Sequence, residues 1–401
     1  MERWVDLVRA RELTSSLVLE RDEQPIPLTS AHGYVLAQDI IADRDDPHAD
    51  LSAMDGFAVL ASSTRSATPE TPVLLTIQDT IFAGTGGSLP ELLEDHAIRI
   101  MTGGRVPIGA TGIVLIEHTE LAEDGRLLVY HPGTDHIRRQ GEHHRSGDTI
   151  LHRGHRINAA TIATLATVGL TEIRVLTPLR IAVLPTGDEL VEPGQPVIPG
   201  QIRESNSWAL TARLCALGHN AERLRPQPDQ IDDLRSRLDL LAQTYDLIIT
   251  SGGVSMGDAD FVRKLMLEEG QTLFWRIKMK PGSPPLAGRW KGTPLFGLPG
   301  NPVSSLVVLR VLVEPWLEKC DLTDPQDHLI QVCLGDDLPP AKDRMVLTRL
   351  QIDWSQSPIV AHAHSHQGSG HTSSLPHADA LAWIEPGVQT KKGSIIPALL
   401  L

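Results

Sequence analysis

Six basic residues, Arg276, Lys278, Lys280, Arg289, Lys291 and Arg310, and no acidic one fall within residues 271–313, in a chain whose formal net charge is -14. Positive charge concentrated against the sign of the whole chain suits an anion. Charges beyond about 8–10 Å are largely screened at physiological salt, so a local stripe sets the local field. Three of the six alternate in the run FWRIKMKPG. On an extended strand alternate side chains share a face, so Arg276, Lys278 and Lys280 are expected to form one stripe. A lysine-protected sheet edge would read the same way. The neighbouring loops favour the anion site.

Three glycine-rich segments each follow an apolar strand-like run. SGGVSMGDADF supplies Ser251, Gly252 and Gly253, with a helix expected from about Asp258. PLFGLPGNPVSS supplies Pro299 and Gly300, then Asn301 as an N-cap, Pro302 at the first helical position and Ser304 in the first turn. RIAVLPTGDELVEPG places Thr186, Gly187, Asp188 and Glu189 directly after its strand. Helix N-termini approached through glycine present free backbone N–H groups and the positive end of the macrodipole, which suit phosphate-like anions. Singly, such glycines are ordinary punctuation. Three together at neighbouring strand ends form the ligand crevice of an open α/β sheet.

The elements that must hold these loops can be read from periodicity. Over residues 179–320 strands and helices alternate; Leu210, Leu214 and Leu217 stand at helical spacing over 207–217, ahead of Gly218, and a second amphipathic helix is expected over 231–241. The pattern predicts a parallel-sheet α/β domain. Residues 3–20 are expected to open the chain as a helix, 29–41 as a short helix or turn leading into a strand, and 157–169 as a helix. Short β-like runs at 73–77, 98–101, 112–117 and 126–130 mark a β-rich insertion. Runs at 330–334, 344–352, 380–384 and 394–399 predict a small C-terminal β-barrel or sandwich. The expected fold is multi-domain α/β, with residues 1–42 and 140–178 as a discontinuous N-terminal domain, 43–139 inserted, 179–325 as the α/β domain and 326–401 as the barrel.

Length and composition set outer limits. A chain of 401 residues accommodates roughly two to four domains. Its 41% hydrophobic and 21% charged content is ordinary for a globular protein. No apolar run reaches the roughly 18 residues of a membrane span, and Glu2 and Arg3 stand where a signal peptide would turn apolar, so a cytoplasmic enzyme is expected. Cys215, Cys320 and Cys333 suit neither a disulfide framework nor a cysteine metal site. The acidic balance argues against nucleic acid as a partner.

The motifs SAMDGFAV (52–59), IMTGGRVPIGATGIVLIE (100–117), TGDEL (186–190), SGGVSMGDADF (251–261), KPGSP (280–284) and GLPGNPVS (297–304), in that order, closely resemble the molybdopterin molybdenumtransferase family, MoeA in bacteria and the E domain of gephyrin in animals. The resemblance covers nearly the whole chain. It implies the last step of molybdenum cofactor assembly, in which adenylylated molybdopterin and molybdate yield the cofactor and AMP with Mg²⁺. It also implies an elongated homodimer of four-domain subunits, with the active site between the α/β domain of one subunit and the β-rich part of its partner. The adenylyltransferase and apo-molybdoenzymes are further partners to expect.

Breaking a pyrophosphate calls for a divalent cation held by oxygen ligands, and for carboxylates that hold it or orient water. The resemblance assigns catalysis to Asp55, Glu189, Asp260 and Lys280, and the metal to Asp55, Asp188, Glu189 and Asp260. Substrate contacts fall to Thr102, Thr186, Gly187, Asp229, Ser251, Gly252, Gly253, Arg276, Pro299, Gly300, Asn301 and Pro302. Molybdate, a tetrahedral dianion, calls for cations, hydroxyls and backbone donors. Lys280, Ser283, Pro284, Ser304, Arg349 and Ser369 are its expected surroundings, with Arg344 as a rival to Arg349.

Two positions depart from the family. Ser283 replaces the second lysine of K-P-G-K-P, and His143 in RRQGEHH stands where an acidic residue is expected. The first removes a charge-assisted bond to molybdate. The second substitutes a titratable imidazole. Alternative readings are a divergent paralogue acting as an adenylyltransferase or as a non-catalytic, molybdopterin-binding scaffold. The tract AHAHSHQGSGH adds a zinc or nickel site on His362, His364, His366 and His371 as a separate hypothesis.

Overall fold

The computed structural model describes residues 1–257 and 260–401, in two compact units: residues 1–37, 154–158 and 172–401, and residues 38–153 with 159–171. Asp258, expected to open a helix, lies outside the described residues.

In the first unit a seven-stranded sheet contains β1 (Glu2–Val5), β2 (Arg180–Pro185), β3 (Asn220–Arg223), β4 (Leu247–Ser251), β5 (Gln271–Ile277), β6 (Leu286–Trp290) and β7 (Thr293–Leu298), in the order β1-β5-β6-β7-β4-β2-β3. Strands β3, β2, β4 and β7 run parallel. The sheet as a whole is mixed, because β6 is antiparallel to both neighbours. Only Lys291 and Gly292, both at positive φ, separate β6 from β7, and so short a turn can only make a hairpin.

Helices α1 (Leu7–Thr14), α2 (Asn206–Ala216), α3 (Ile231–Thr244), α4 (Phe261–Glu268) and α5 (Pro302–Val308) cover this sheet. The period of two divides each buried strand between two cores. Ile181 and Val183 of β2 join Leu210, Leu214 and Val303 in one cluster, and Ala182 and Leu184 join Leu234, Leu238 and Val262 in the other. Each fully buried leucine stabilises by about 2 kcal/mol relative to exposure. Tertiary contact thus confirms the leucine spacing of α2 and α3.

The chain does not open with a long helix. Residues Glu2–Val5 pair in parallel with β5, Val5 opposite Ile277, and Asp6 then N-caps α1 by accepting the Arg9 N–H at 2.7 Å. A short 3₁₀ turn, Ser15–Leu17, follows. Long-range strand pairing overrides local helical character at Glu2–Val5. Glu23–Pro27 is a strand, antiparallel to Glu172–Leu176, and the 3₁₀ turn at Leu28–Ser30 opens the short helix or turn expected over 29–41.

The C-terminal strands Leu329–Leu334, Met345–Asp353, Val360–Ala363, Ala380–Ile384 and Ile395–Leu400 close into a five-stranded barrel, because Ala380–Ile384 pairs with both Ile395–Leu400 and Met345–Asp353. The pair Met279–Lys280 joins this sheet in parallel beside Met345 and Val346. The second unit contains the expected β-rich segment, a six-stranded sheet ordered Gly112–Leu115, Gly56–Val59, His96–Ile100, Val73–Ile81, Leu127–Val129, Thr119–Leu121, and the helix Ala159–Thr167. No described helix is long and apolar enough to cross a membrane.

Candidate functional site

A cavity of about 420 Å³ opens at the carboxyl ends of β2, β4 and β7. Thr186, Gly187 and Glu189 wall it from β2, Ser251, Gly252 and Gly253 from β4, and Pro299, Gly300, Asn301 and Pro302 from β7. Asp229, Asp260 and Pro284 complete the predicted residues that line it.

Main-chain bonds hold these loops together. Thr186 N–H donates to Ser251 O at 2.9 Å, Gly187 N–H to Gln227 O at 3.2 Å and Gly252 N–H to Leu298 O at 3.0 Å. Those three donors are therefore spent on the walls. Gly252 has φ +100°, and a Cβ there would sit 2.6 Å from Thr186 O, so only glycine allows the approach. No helix starts after Glu189, because Leu190–Val191 pairs with Ile202–Arg203. Asn301 and Pro302 take the cap and first positions of α5, but the Asn301 side chain makes no capping bond. The N–H of Val303 is taken by Ser369 O at 3.0 Å.

Asn206 escaped the sequence reading. Its Nδ2 donates to Ser251 Oγ and Gly300 O, both at 2.7 Å, and ties two of the loops together. Among the described residues Asn206 Oδ1 and Thr186 Oγ1 are buried without a hydrogen-bond partner. Buried polar atoms without partners are costly, which makes this wall fit for a polar ligand. A polar RESN run ahead of the α2 leucines was the available signal.

Carboxylates crowd the same region. Asp188 Oδ1 accepts the Asp229 N–H at 2.9 Å, and Asp260 accepts the Gly257 N–H. Burial, then the charges of Asp188, Glu189 and Asp260, push the Asp229 carboxyl above the usual aspartate value. No three metal-capable side chains among the described residues form a ready cage. Glu189, Asp229 and Asp260 line the cavity with oxygen donors of the kind Mg²⁺ takes one or two at a time, beside phosphate oxygens and water.

Beside α5 lies a second group. Gly282 of the Lys280–Gly282 turn has φ +94° and abuts Ser304 O, 3.4 Å from where its Cβ would be. Lys280 is exposed and Ser304 buried. Ser283 Oγ donates to Ile277 O at 3.2 Å. Arg349 is only 1% exposed; its Nη2 donates to His366 O at 2.7 Å and Gly368 O at 3.1 Å, and burial lowers its pKa. It braces the turn that carries Ser369. Its rival Arg344 pairs instead with Asp343 at 2.9 Å.

The expected basic stripe is broken. Lys278 and Lys280 are exposed and alternate with buried Ile277 and Met279, but Arg276 has φ +76° and stacks over Trp4, 4.3 Å from the ring centroid. In the second unit Asp55 Oδ1 accepts from both the N–H (2.7 Å) and the hydroxyl (2.8 Å) of Thr102. Those two bonds, N–H first, hold its carboxyl below the usual range. Adjacent Gly56 is obligatory, since a Cβ there would lie 2.0 Å from Val114 O. His143 is half exposed, 4.0 Å from the Glu142 carboxylate.

The histidine tract makes no metal site among the described residues. Its strand ends at Ala363; His362 turns to Asp336 at 3.1 Å, and His366 packs edge-on against His371 at 4.8 Å.

Family models match residues 5–169 (MoeA N-terminal region, domains I and II), 182–319 (probable molybdopterin binding domain) and 331–401 (MoeA C-terminal region, domain IV). A molybdopterin molybdenumtransferase 2 of Mycobacterium tuberculosis is 38% identical over 346 residues, 84% of this chain and 85% of its own. A molybdopterin molybdenumtransferase of Staphylococcus epidermidis is 32% identical over 383 residues, 94% of this chain and 90% of its own. The crystal structure of the Pyrococcus horikoshii molybdopterin biosynthesis moeA protein shares the fold, with a TM-score of 0.85 over 99% of this chain and 100% of its own at 24% identity. The chain belongs to the MoeA family of molybdopterin molybdenumtransferases, and so to molybdenum cofactor biosynthesis.

Proposed function

We propose that this chain transfers molybdenum from molybdate into adenylylated molybdopterin with release of AMP. The observation that carries the reading is the cavity lined by Glu189, Asp229 and Asp260 together with Thr186 and Asn206, whose Oγ1 and Oδ1 are buried without hydrogen-bond partners. A polyanionic substrate with hydroxyl and phosphate oxygens satisfies those polar atoms, provided its charge is offset.

Glu189 and Asp260 would hold Mg²⁺, which when bound draws charge from the pyrophosphate oxygens. The protein's own share is positioning. The glycine loops bring backbone close to the phosphates, Glu189 and Asp260 orient an attacking oxygen, and Lys280 attracts molybdate beside the Ser283–Pro284 turn. A water oxygen bonds to the phosphorus on the pterin side as that phosphorus loses the bridging oxygen, which departs with AMP, and the pterin's two sulfurs take molybdenum in exchange for molybdate oxygen, which leaves as water. Asp55, the homodimer, the four-domain division and a cytoplasmic location belong to the same proposal. The non-catalytic scaffold is the weaker reading, because binding alone gives the crowded carboxylates no task.

The test is AMP release from adenylylated molybdopterin with Mg²⁺ and graded molybdate, comparing wild type with Asp55→Ala and His143→Asp. Molybdate-dependent AMP release that is lost in Asp55→Ala is expected. Pterin binding without AMP release at any molybdate concentration would sink the insertase reading.

A further inference from the structure

The ladder between β1 and β5 pairs Arg3 with Trp275 and Val5 with Ile277, and it passes over Trp4 and Arg276. Those two skipped residues have φ +55° and +76°, and the Arg276 guanidinium stacks over the Trp4 ring at 4.3 Å. Left-handed backbone costs a residue with a side chain about 1–3 kcal/mol, and persists where the surroundings hold it. Two such residues side by side present an arginine and a tryptophan as one stacked unit.

More cations gather there. Arg344 lies 5.9 Å from the Trp4 centroid, and Arg263 and Arg3 lie 5.0 and 5.6 Å from that of Trp275. Exposed Lys278 adds its charge beside Asp343, the carboxylate that Arg344 engages. The Nε atoms of Arg263 and Arg276 are buried with no hydrogen-bond partner among the described residues. Among the described residues Arg276 and Arg344 thus flank the Trp4 indole, which is 38% exposed, with Lys278 and Asp343 beside them, while Arg3 and Arg263 lie against the buried Trp275 next to it, in a chain of net charge -14.

This group adjoins the cavity. Arg276 Nη1 lies 3.4 Å from Met256 Sδ, and the Trp275 indole N–H donates to Val254 O at 3.0 Å. Val254, Ser255 and Gly257 line the cavity wall.

We infer that Trp4, with Arg276 and Arg344, forms a docking platform for a phosphorylated planar heteroaromatic, stacking its ring on the indole while the arginines and Lys278 take the phosphate. Indoles and guanidinium planes stack on any flat π-face, and guanidinium–phosphate bonds are charge-assisted. The inference rests on the proposed function, since both ends of adenylylated molybdopterin, the nucleotide and the pterin, have this chemistry. The platform extends the site beyond the glycine loops to a residue outside the family motifs.

Calorimetric titration of the full chain with AMP and with ribose 5-phosphate, which lacks the base, tests it. Wild type should bind AMP about tenfold more tightly, a stacking contribution of about 1.4 kcal/mol. Trp4→Ala should erase that preference and leave ribose 5-phosphate binding unchanged. Trp4→Phe, which keeps a ring, should restore most of it and controls for folding. Arg344→Ala should weaken both ligands alike.

A pterin bearing a side-chain phosphate, titrated in parallel, separates the two sources. Dependence on Trp4 with AMP alone assigns the platform to the nucleotide, and with the pterin alone to the pterin. Wild type that fails to prefer AMP and also binds the pterin independently of Trp4 overturns the platform. If such a protein still turns over adenylylated molybdopterin, the function stands and only the platform falls. Trp4-dependent AMP binding without any AMP release would instead support the platform and remove the insertase reading.

Discussion

Around the cavity the loops are fixed by main-chain bonds, Thr186 to Ser251, Gly187 to Gln227 and Gly252 to Leu298, whereas around Lys280 main-chain bonds such as Ile277 to Ser283 O and Val303 to Ser369 O are supplemented by side chains. There Arg349 braces the Ser369 turn through two carbonyls, and the Ser283 hydroxyl closes on Ile277. A wall of backbone depends little on which side chains surround it, provided its glycines stay glycine. A corner that adds side-chain braces to its backbone bonds responds also to substitutions that leave the backbone alone. The cavity loops carry the TGDEL, SGG and PGNP runs, and the KPG turn carries Ser283, where the resemblance leads one to expect a lysine.

The largest effect should come from adding one methyl to the wall. In Gly252→Ala the Cβ would meet the Thr186 carbonyl at 2.6 Å in a left-handed conformation, backbone against backbone. A loss of about 3 kcal/mol, or over a hundredfold in kcat/KM, is expected. Steady-state kinetics and thermal melting should fall together; near wild-type activity would show that the loops are not rigid. Next, Glu189→Gln and Asp260→Asn should each lower kcat about a hundredfold while leaving the molybdate KM in place. A matching rise in that KM would merge the two regions into one.

The corner should respond more weakly and in other observables. Arg349→Met removes a charged donor from His366 O and Gly368 O, of which the second still accepts from the His371 N–H, and should destabilise the barrel by about 2 kcal/mol, seen as an earlier melting transition. Lysine at that position lacks the fork and should not rescue it. Ser283→Lys restores a cation and should lower the molybdate KM about tenfold with little change in kcat. A change in kcat alone would place Lys280 and Ser283 in the chemical step.

Periodicity and turn chemistry made much of this arrangement legible. The leucines of α2 and α3, the glycine loops and the C-terminal strands all depend on neighbours in sequence. What the sequence concealed depends on distant ones. Glu2–Val5 looks helical until its partner strand, some 270 residues on, is in place. The loop N–H groups looked free because their acceptors, such as Leu298 O and Gln227 O, belong to other segments. Arg349 could not be told from its rival Arg344 for the same reason, since the His366 and Gly368 carbonyls it engages lie on another segment. The cation stripe failed at Arg276, where one backbone angle redirects the side chain onto Trp4.

The smallest expected effect is also the most direct probe of the crowded wall. The Asp229 carboxyl lies above its ordinary value because of burial first and then its acidic neighbours, so ionising it opposes folding. In the folded state it holds its proton to a higher pH than in the unfolded chain. Its penalty is therefore complete above the raised folded value, and it fades as pH falls from there to the ordinary value of about 3.9. Asp229→Asn should be more stable than wild type at pH 7, and this advantage should vanish near pH 4. With Asp229 only partly buried and so screened by nearby water, the difference should remain below about 1 kcal/mol. Mg²⁺ should narrow the gap at pH 7 by neutralising the cluster, and molybdate, an anion expected at the other corner, should not. A gap closed equally by both ions would show that the carboxylate wall and the lysine corner respond as a single site.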